Sequence, residues 1–312
     1  MTDADAIVVG EAWAGATVSA VVREHLALPW SKARALCTSG RVYVDGRRAL
    51  DPAARVEAGA RVEVRASAPR LRKGVLPREA VLHVDADVIV VNKPAGVLTL
   101  PYEEDDRDTL ADRTRAALRR MDRRAHDPMV GVVQRLDKDT TGVLVFARNP
   151  KAKRALEAQL RAHTVTRRYL AIVHGEARDG RHETFLVQDR GDGLRGSWGR
   201  SRHHRGPPPE GAKRAVTHVR VLEPLRGATL VECRLETGRQ HQIRIHLSEA
   251  GHPLVGESVY VRGFAGPRIE APRPMLHAIE LAFDHPRTGE RVRFTQDPPD
   301  DFAETLRALS SS

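Results

Sequence analysis

The chain has 312 residues, enough for one good core and a small second domain. Its formal net charge of +10 and pI of about 10.2 point to a polyanion, most simply nucleic acid. Aromatic residues at 4% argue against RNA binding on a platform of stacked rings. Cys37 and Cys233 are far apart and fit no zinc or redox spacing, which favours a reducing cytoplasm. The N-terminal MTDADAIVVGEAW lacks the basic and apolar regions of a secretion signal, and no stretch has the apolar length of a membrane span.

Two short helices are predicted first. Val21, Val22, His25 and Leu26 give Ser19 to Leu26 a near-helical apolar spacing. Ser31 is the expected N-cap of SKARALCTSG, and Gly40 its terminator. RVYVDG then alternates as a strand into an Asp45-Gly46 turn, and ARVEVRA ends this section near residue 67. The basic, proline-bearing SAPRLRKGVLPRE reads as a linker. The expected division is thus a module over 13–67, a linker over 68–79 and a main domain over 80–312.

In the main domain VLHVDADVIVVNKPAG supplies a broken strand and a turn. TLADRTRAALRRM is a helix with Leu110, Thr114, Leu118 and Met121 along one side. GVVQRL and GVLVFA are predicted strands, followed by PKAKRALEAQLRAH, a helix with proline in its first turn. RRYLAIVHG, AVTHVRVLE and ATLVECRLE are further strands. The glycine-, proline- and arginine-rich run from Arg190 to Arg214 reads as a flexible basic loop, either an RNA clamp or a solvated insertion. HQIRIHLSEAG is helical with Gly251 as C-cap, FDHPRTGERVRF a hairpin and DDFAETLRAL a closing helix. Tight turns join strands as often as helices do, so the fold class is α+β with a mixed, mainly antiparallel sheet.

Chemistry concentrates in two stretches. In QRLDKDTTG, Asp137, Asp139, Thr141 and Gly142 imitate the first half of a calcium loop. Arg148 stands where the bidentate carboxylate should be, so calcium fails. D-x-D-x-T after a strand also matches the nucleophile motif of haloacid-dehalogenase-type phosphatases, which need magnesium and further carboxylates. No second acidic pair follows a later strand, and this reading stays a minor alternative. In the third reading an extended QRLD puts Arg135 and Asp137 on one face, where the guanidinium would keep a nucleophilic aspartate ionised. From this stretch alone an aspartate that only starts the turn before TTG fits equally well. The second stretch, TGRQHQIRIH, sets Arg239, His241, Arg244 and His246 at the opening of a helix, which favours an anion or phosphate. His241 and His246 are five apart and make a poor metal site.

Taken in order, VVNKPAG, QRLDKDTTGVLVFARN, RRYLAIVHG, AVTHVRVLE, TGRQHQIRIHLSEAGHPLVGESVY and LHAIELAFDHPRTGE resemble the RluA-type pseudouridine synthases. SKARALCTSGRVYVDG resembles the alpha-L, ribosomal S-four-type RNA-binding motif. The resemblance implies that Asp137 is the catalytic aspartate, that Tyr169 stacks on a flipped base, and that Arg244 pairs with the catalytic carboxylate. It also implies that Arg135 can fill the stack vacated by the target uridine. Gln134 stands where the family usually has histidine, and TTG replaces TSG. The isomerisation implied needs no cofactor or metal. Arg239, His241, Lys32, Arg34 and Arg41 are the other expected RNA contacts. The expected partner is ribosomal RNA of the large subunit, with tRNA next, bound by a cytoplasmic monomer. A different class remains alongside: an RNA-binding or ribosome-assembly protein that keeps this fold without turnover.

Overall fold

A computed structural model describes residues 5–39, 41–49, 52–65, 74, 76–102, 106, 108–122, 126–199 and 206–310. The chain divides into two compact units, Met1–Gly74 with Pro101–Asp108, and Val75–Leu100 with Thr109–Ser312.

The first unit contains β1 (Asp5–Val8), α1 (Val18–His25), α2 (Trp30–Thr38), β2 (Val42–Val44), β3 (Arg47–Arg48) and β4 (Arg61–Val64). Its antiparallel sheet runs β1-β4-β2-β3. Val18, Val21 and Val22 of α1 pack with Ala33 and Cys37 of α2 on Val42, Val62 and Val64. The Thr17 side chain accepts the Ala20 N–H and so caps α1. Asp45 and Gly46 both take positive φ, which matches the turn to the twist of its strands.

Three local expectations change here. Strand β1 lies ahead of residue 13 and pairs along the whole of β4. Ser31 is not a cap: Pro29, with its fixed φ, starts α2 two residues earlier and without a side-chain cap. Gly40 and most of the expected linker lie outside the described residues, although Arg78–Ala80 forms a single 3-10 turn.

The second unit is built from β5 (Val81–Val84), β6 (Val88–Lys93), α3 (Leu110–Met121), β7 (Gly131–Val132), β8 (Thr141–Ala147), α4 (Pro150–Arg161), β9 (Thr166–His174), β10 (Gly180–Val187), β11 (Gly196–Ser197), β12 (Lys213–Leu225), β13 (Ala228–Leu235), α5 (Gln242–Glu249), β14 (Leu276–Asp284), β15 (Arg291–Thr295) and α6 (Asp300–Leu309). Its sheet runs β11-β10-β12-β13-β9-β14-β8-β6-β5, with β15 on β14 and β7 on β8. Among the described strands β8 and β14 pair in parallel and the other pairs are antiparallel. This is the mixed, mainly antiparallel α+β arrangement expected.

Strand β8 is buried at every residue because both sheet faces are covered. Leu144 and Phe146 pack towards Leu110 and Leu118 of α3 and Ile243 and Leu247 of α5. Val143 and Val145 face the other way, towards Ala152 and Leu156 of α4. A Thr109–Asp112 capping box starts α3, and Asn149 caps α4 ahead of Pro150. Met121 is half exposed at the end of α3 rather than part of its buried side. Gly251 follows the α5 C-cap, Ala250, with a φ of 91°.

Two segments depart from expectation. The chain leaves the sheet after Val132, so Gln134 to Asp137 are not strand. The Arg190–Arg214 run is not a plain loop. Asp189 accepts the N–H groups of Gly191 and Gly193, and the closed turn brings β11 back onto β10. Lys213 already begins β12, and residues 200–205 lie outside the described residues.

Candidate active site

The loop that carries Asp137 is held by its backbone. Thr99 donates its hydroxyl to the Leu136 carbonyl (2.8 Å) and accepts the Leu136 N–H (3.1 Å). Lys93, fully buried at the end of β6, donates Nζ to the carbonyls of Lys138 (2.7 Å), Thr140 (2.9 Å) and Pro94 (3.0 Å). Burial pushes the Lys93 ammonium down to about 7, against the opposing pull of Asp139 and Asp137. Arg273 donates to the Asp139 carbonyl (3.1 Å) and grips Asp301 through two bonds (2.6 and 2.8 Å). Asp139 therefore has a place in the scaffold, through its backbone and its charge.

Held in this way, Asp137 opens onto a cleft of about 650 Å³. Its walls include Gln134, Arg135 and Asp137 from the loop, Arg167 and Tyr169 from β9, and Arg239, His241 and Arg244 at α5. His241 Nε2 lies 3.9 Å from Asp137 Oδ1, and Arg244 Nη1 lies 4.0 Å from Oδ2. These two side chains, not the exposed Arg135, are the ones that approach the carboxylate.

Arg244 is engaged more tightly elsewhere. Its Nε and Nη2 donate to the two carboxylate oxygens of Glu257 at 2.7 and 2.6 Å. Burial opposes the Arg244 charge, but the Glu257 bonds, with Asp137 adding, raise its pKa above the ordinary arginine value. Burial likewise works against the Glu257 carboxylate, yet Arg244 and the N–H groups of Val259 and Tyr260 hold it below the usual range. The Arg244 guanidinium also lies over the Tyr260 ring, 5.2 Å from its centroid.

His241 precedes α5 in the left-handed region, φ 57°, and its Nδ1 lies 2.7 Å from the Tyr260 hydroxyl. Burial, reinforced by Arg244 and countered by Asp137, lowers the His241 pKa, so the neutral imidazole dominates near pH 7. Tyr169 is buried at the cleft floor. That burial pushes its hydroxyl up to about 12, with Asp137 adding and Arg167 opposing. Gln242 anchors the helix start: Thr237 Oγ1 and the Arg239 N–H donate to its Oε1, and its Nε2 donates to the Val216 carbonyl and Thr217 Oγ1.

Of the expected residues, Asp137, Tyr169, Arg244, Arg135, Arg239 and His241 all line this cleft. Arg239 is exposed there and donates Nε to the Arg214 carbonyl. Lys32 and Arg34 are exposed on α2 of the first unit, and Arg41 is half-buried before β2. Sequence reasoning missed Lys93, Glu257, Tyr260, Arg167 and Gln242. All lie inside the quoted motifs, but nothing local marks them as site residues. Asp85, Asp87 and His285 are the one group among the described residues with metal-ligand atoms within 4.8 Å of one another. Arg287 pairs with Asp87 and His83 lies against Asp85, and none of them lines the cleft.

Comparison with known proteins bears on this geometry. The family model described as RNA pseudouridylate synthase matches residues 87–249, and an S4 domain model matches residues 19–62. An "Uncharacterized RNA pseudouridine synthase YlyB" of Bacillus subtilis is 40% identical over 233 residues, 73% of this chain and 72% of that protein. "Ribosomal large subunit pseudouridine synthase D" of Pseudomonas aeruginosa is 37% identical over 296 residues, 86% of this chain and 84% of its own length. The protein of the same name in Nitrosomonas europaea is 38% identical over 237 residues, but the match spans only 64% of its length. The solved structure "Human RNA Pseudouridylate Synthase Domain Containing 4" has a TM-score of 0.62 at 22% identity, covering 75% of this chain and 94% of that one, a likeness of fold.

Proposed function

The chain belongs to the RNA pseudouridylate synthase family, whose members are isomerases, and on that premise we propose that Asp137 is the catalytic aspartate of a uridine-to-pseudouridine conversion in large-subunit ribosomal RNA. One observation carries the reading: Asp137 opens onto a cleft of about 650 Å³ with Arg244, His241 and Tyr169 in its walls. The names of the Pseudomonas and Nitrosomonas relatives support the choice of RNA.

The reaction breaks the bond from the uracil ring nitrogen to the ribose, turns the base in place and rejoins it through a ring carbon. That carbon loses its hydrogen and the nitrogen gains one, so reactant and product are isomers. Asp137 supplies a carboxylate that neither Arg244 nor His241 approaches closer than 3.9 Å, which leaves its oxygens open to the substrate. Arg244 stabilises negative charge there without capping the carboxylate. Tyr169 offers a ring for the base and a hydroxyl that keeps its proton across the physiological range. The base must leave its stack to reach this depth, at a cost of a few kcal/mol. Exposed Arg135, beside Asp137, is suited to occupy the gap left in the RNA.

The test is tritium release from RNA labelled at the uracil carbon that becomes the new attachment point. Release from large-subunit ribosomal RNA, and its loss in Asp137→Asn with folding and RNA binding intact, is the expected result. Near-wild-type release by that variant would remove Asp137 from the mechanism. Release from tRNA alone would reassign the substrate. Tight binding with no release from either RNA would favour a binding protein that has kept the fold.

A further inference from the structure

Three arginines of the second unit carry guanidinium groups out of solvent. Arg244 and Arg273 each hold a carboxylate through two hydrogen bonds, Glu257 and Asp301 respectively. Arg167 is buried to the same degree, at 7% exposure, and among the described residues it forms no ion pair. Its Nη2 donates to the Glu236 carbonyl at 2.7 Å, while its Nε is buried with no acceptor at all. Burial lowers its pKa, with Tyr169 opposing and Arg239, of like sign, adding to the fall. A desolvated cation without a counter-charge is costly, and a buried donor without an acceptor adds to that cost. Folding alone gains little from such a group, whereas a site whose anion arrives with the ligand gains much.

The surroundings give the group access. Arg167 lines the cleft, and its guanidinium lies against Gly238, where a Cβ would stand 2.4 Å from Nη1. Only a residue without a side chain lets the guanidinium lie this close to that wall of the cleft. Arg167 and Tyr169 are two residues apart on β9 and face the same way, about 6.7 Å along the strand. That offset suits a nucleotide whose base lies on the tyrosine and whose phosphate lies beyond it. The planar fork of arginine matches two phosphate oxygens at once.

We propose that Arg167 binds a phosphodiester of the RNA, the one flanking the uridine that stacks on Tyr169. This rests on the reading of the cleft as a uridine site. Its job is substrate registration: the phosphate supplies the missing counter-charge and fixes how far the nucleotide enters.

The experiment compares uridine with uridine 3′,5′-bisphosphate as ligands of the full chain, by calorimetric or NMR titration, in wild type, Arg167→Met and Arg167→Lys. The wild type is expected to prefer the bisphosphate by about tenfold, the worth of one charged hydrogen-bonded contact. Arg167→Met is expected to lose most of that preference with uridine affinity unchanged, and Arg167→Lys to keep part of it. Thermal unfolding checks each variant. Should the methionine variant not fold, the lysine variant carries the test, and an unchanged preference there overturns the proposal. So does an unchanged preference in folded Arg167→Met, or a wild type that binds both ligands alike. Tritium release from RNA by the same wild-type protein separates the two levels. Turnover with no phosphate preference sinks the Arg167 assignment alone, whereas absence of turnover sinks the uridine-site reading beneath it.

Discussion

Arg244 is shared between two carboxylates, and the sharing is unequal. Glu257 takes two of its N–H groups at 2.6 and 2.7 Å, while Asp137 stands off at 4.0 Å. A closer pair would tie up the oxygens that react in the proposed mechanism. Glu257→Gln keeps the shape but leaves the guanidinium with an uncharged partner in a desolvated position. The expected loss is about 3 kcal/mol in urea unfolding, with a fall in tritium release. The pH dependence has a definite sign. The folded Glu257 pKa is depressed below 4.5, so its contribution is complete above that pH and is lost as pH falls through the depressed value. Wild type should therefore lose thermal stability more steeply than Glu257→Gln below about pH 4.5; parallel curves would count against the pairing. Tyr169→Phe separates ring from hydroxyl. RNA affinity should hold while turnover falls, and full turnover would make the hydroxyl dispensable.

The site depends on elements meeting at one glycine. Gly142, the second residue of β8, has φ 113°, and a Cβ there would lie 2.2 Å from the Ala278 carbonyl oxygen of β14. Only a residue without a side chain lets the parallel β8–β14 pairing form. Gly142→Ala should cost roughly 3 kcal/mol or more and displace the loop that carries Asp137, seen as a lower urea midpoint and reduced turnover. Motifs and apolar period made much of this unit legible beforehand: β8, the helices α3 and α4, and the β14–β15 hairpin follow from local period, a first-turn proline and turn residues. What escaped was decided by distant partners. Strand β1 is defined by pairing with β4, and β11 by a turn built on Asp189. Leu136 leaves the sheet because Thr99 holds it. The same limit applies to the site. Asp137, Tyr169 and Arg244 were singled out by motif and share one cleft, whereas Lys93 and Glu257 act through side-chain contacts that no spacing encodes.

At the scale of the whole molecule the dominant quantity is charge. A net +10 draws RNA to the chain without choosing a base, and specificity must come from where the cations are mounted. The first unit, matched by an S4 domain, exposes Lys32 and Arg34 on α2, with Trp30 between Arg23 and Arg34, 4.8 and 5.9 Å from its ring centroid. On the proposed reading these exposed cations contact phosphates, which position RNA without reading its bases. If each neutralises one phosphate, Lys32→Gln with Arg34→Gln should flatten the slope of log affinity against log salt by about 0.7 to 0.9 for each cation removed. Turnover at saturating RNA should persist, because the proposed reacting groups are in the second unit. A salt slope equal to wild type would mean that the phosphates are held elsewhere. A lost slope accompanied by lost turnover at saturation would mean that the first unit does more than bind: it would then be setting which uridine reaches Asp137.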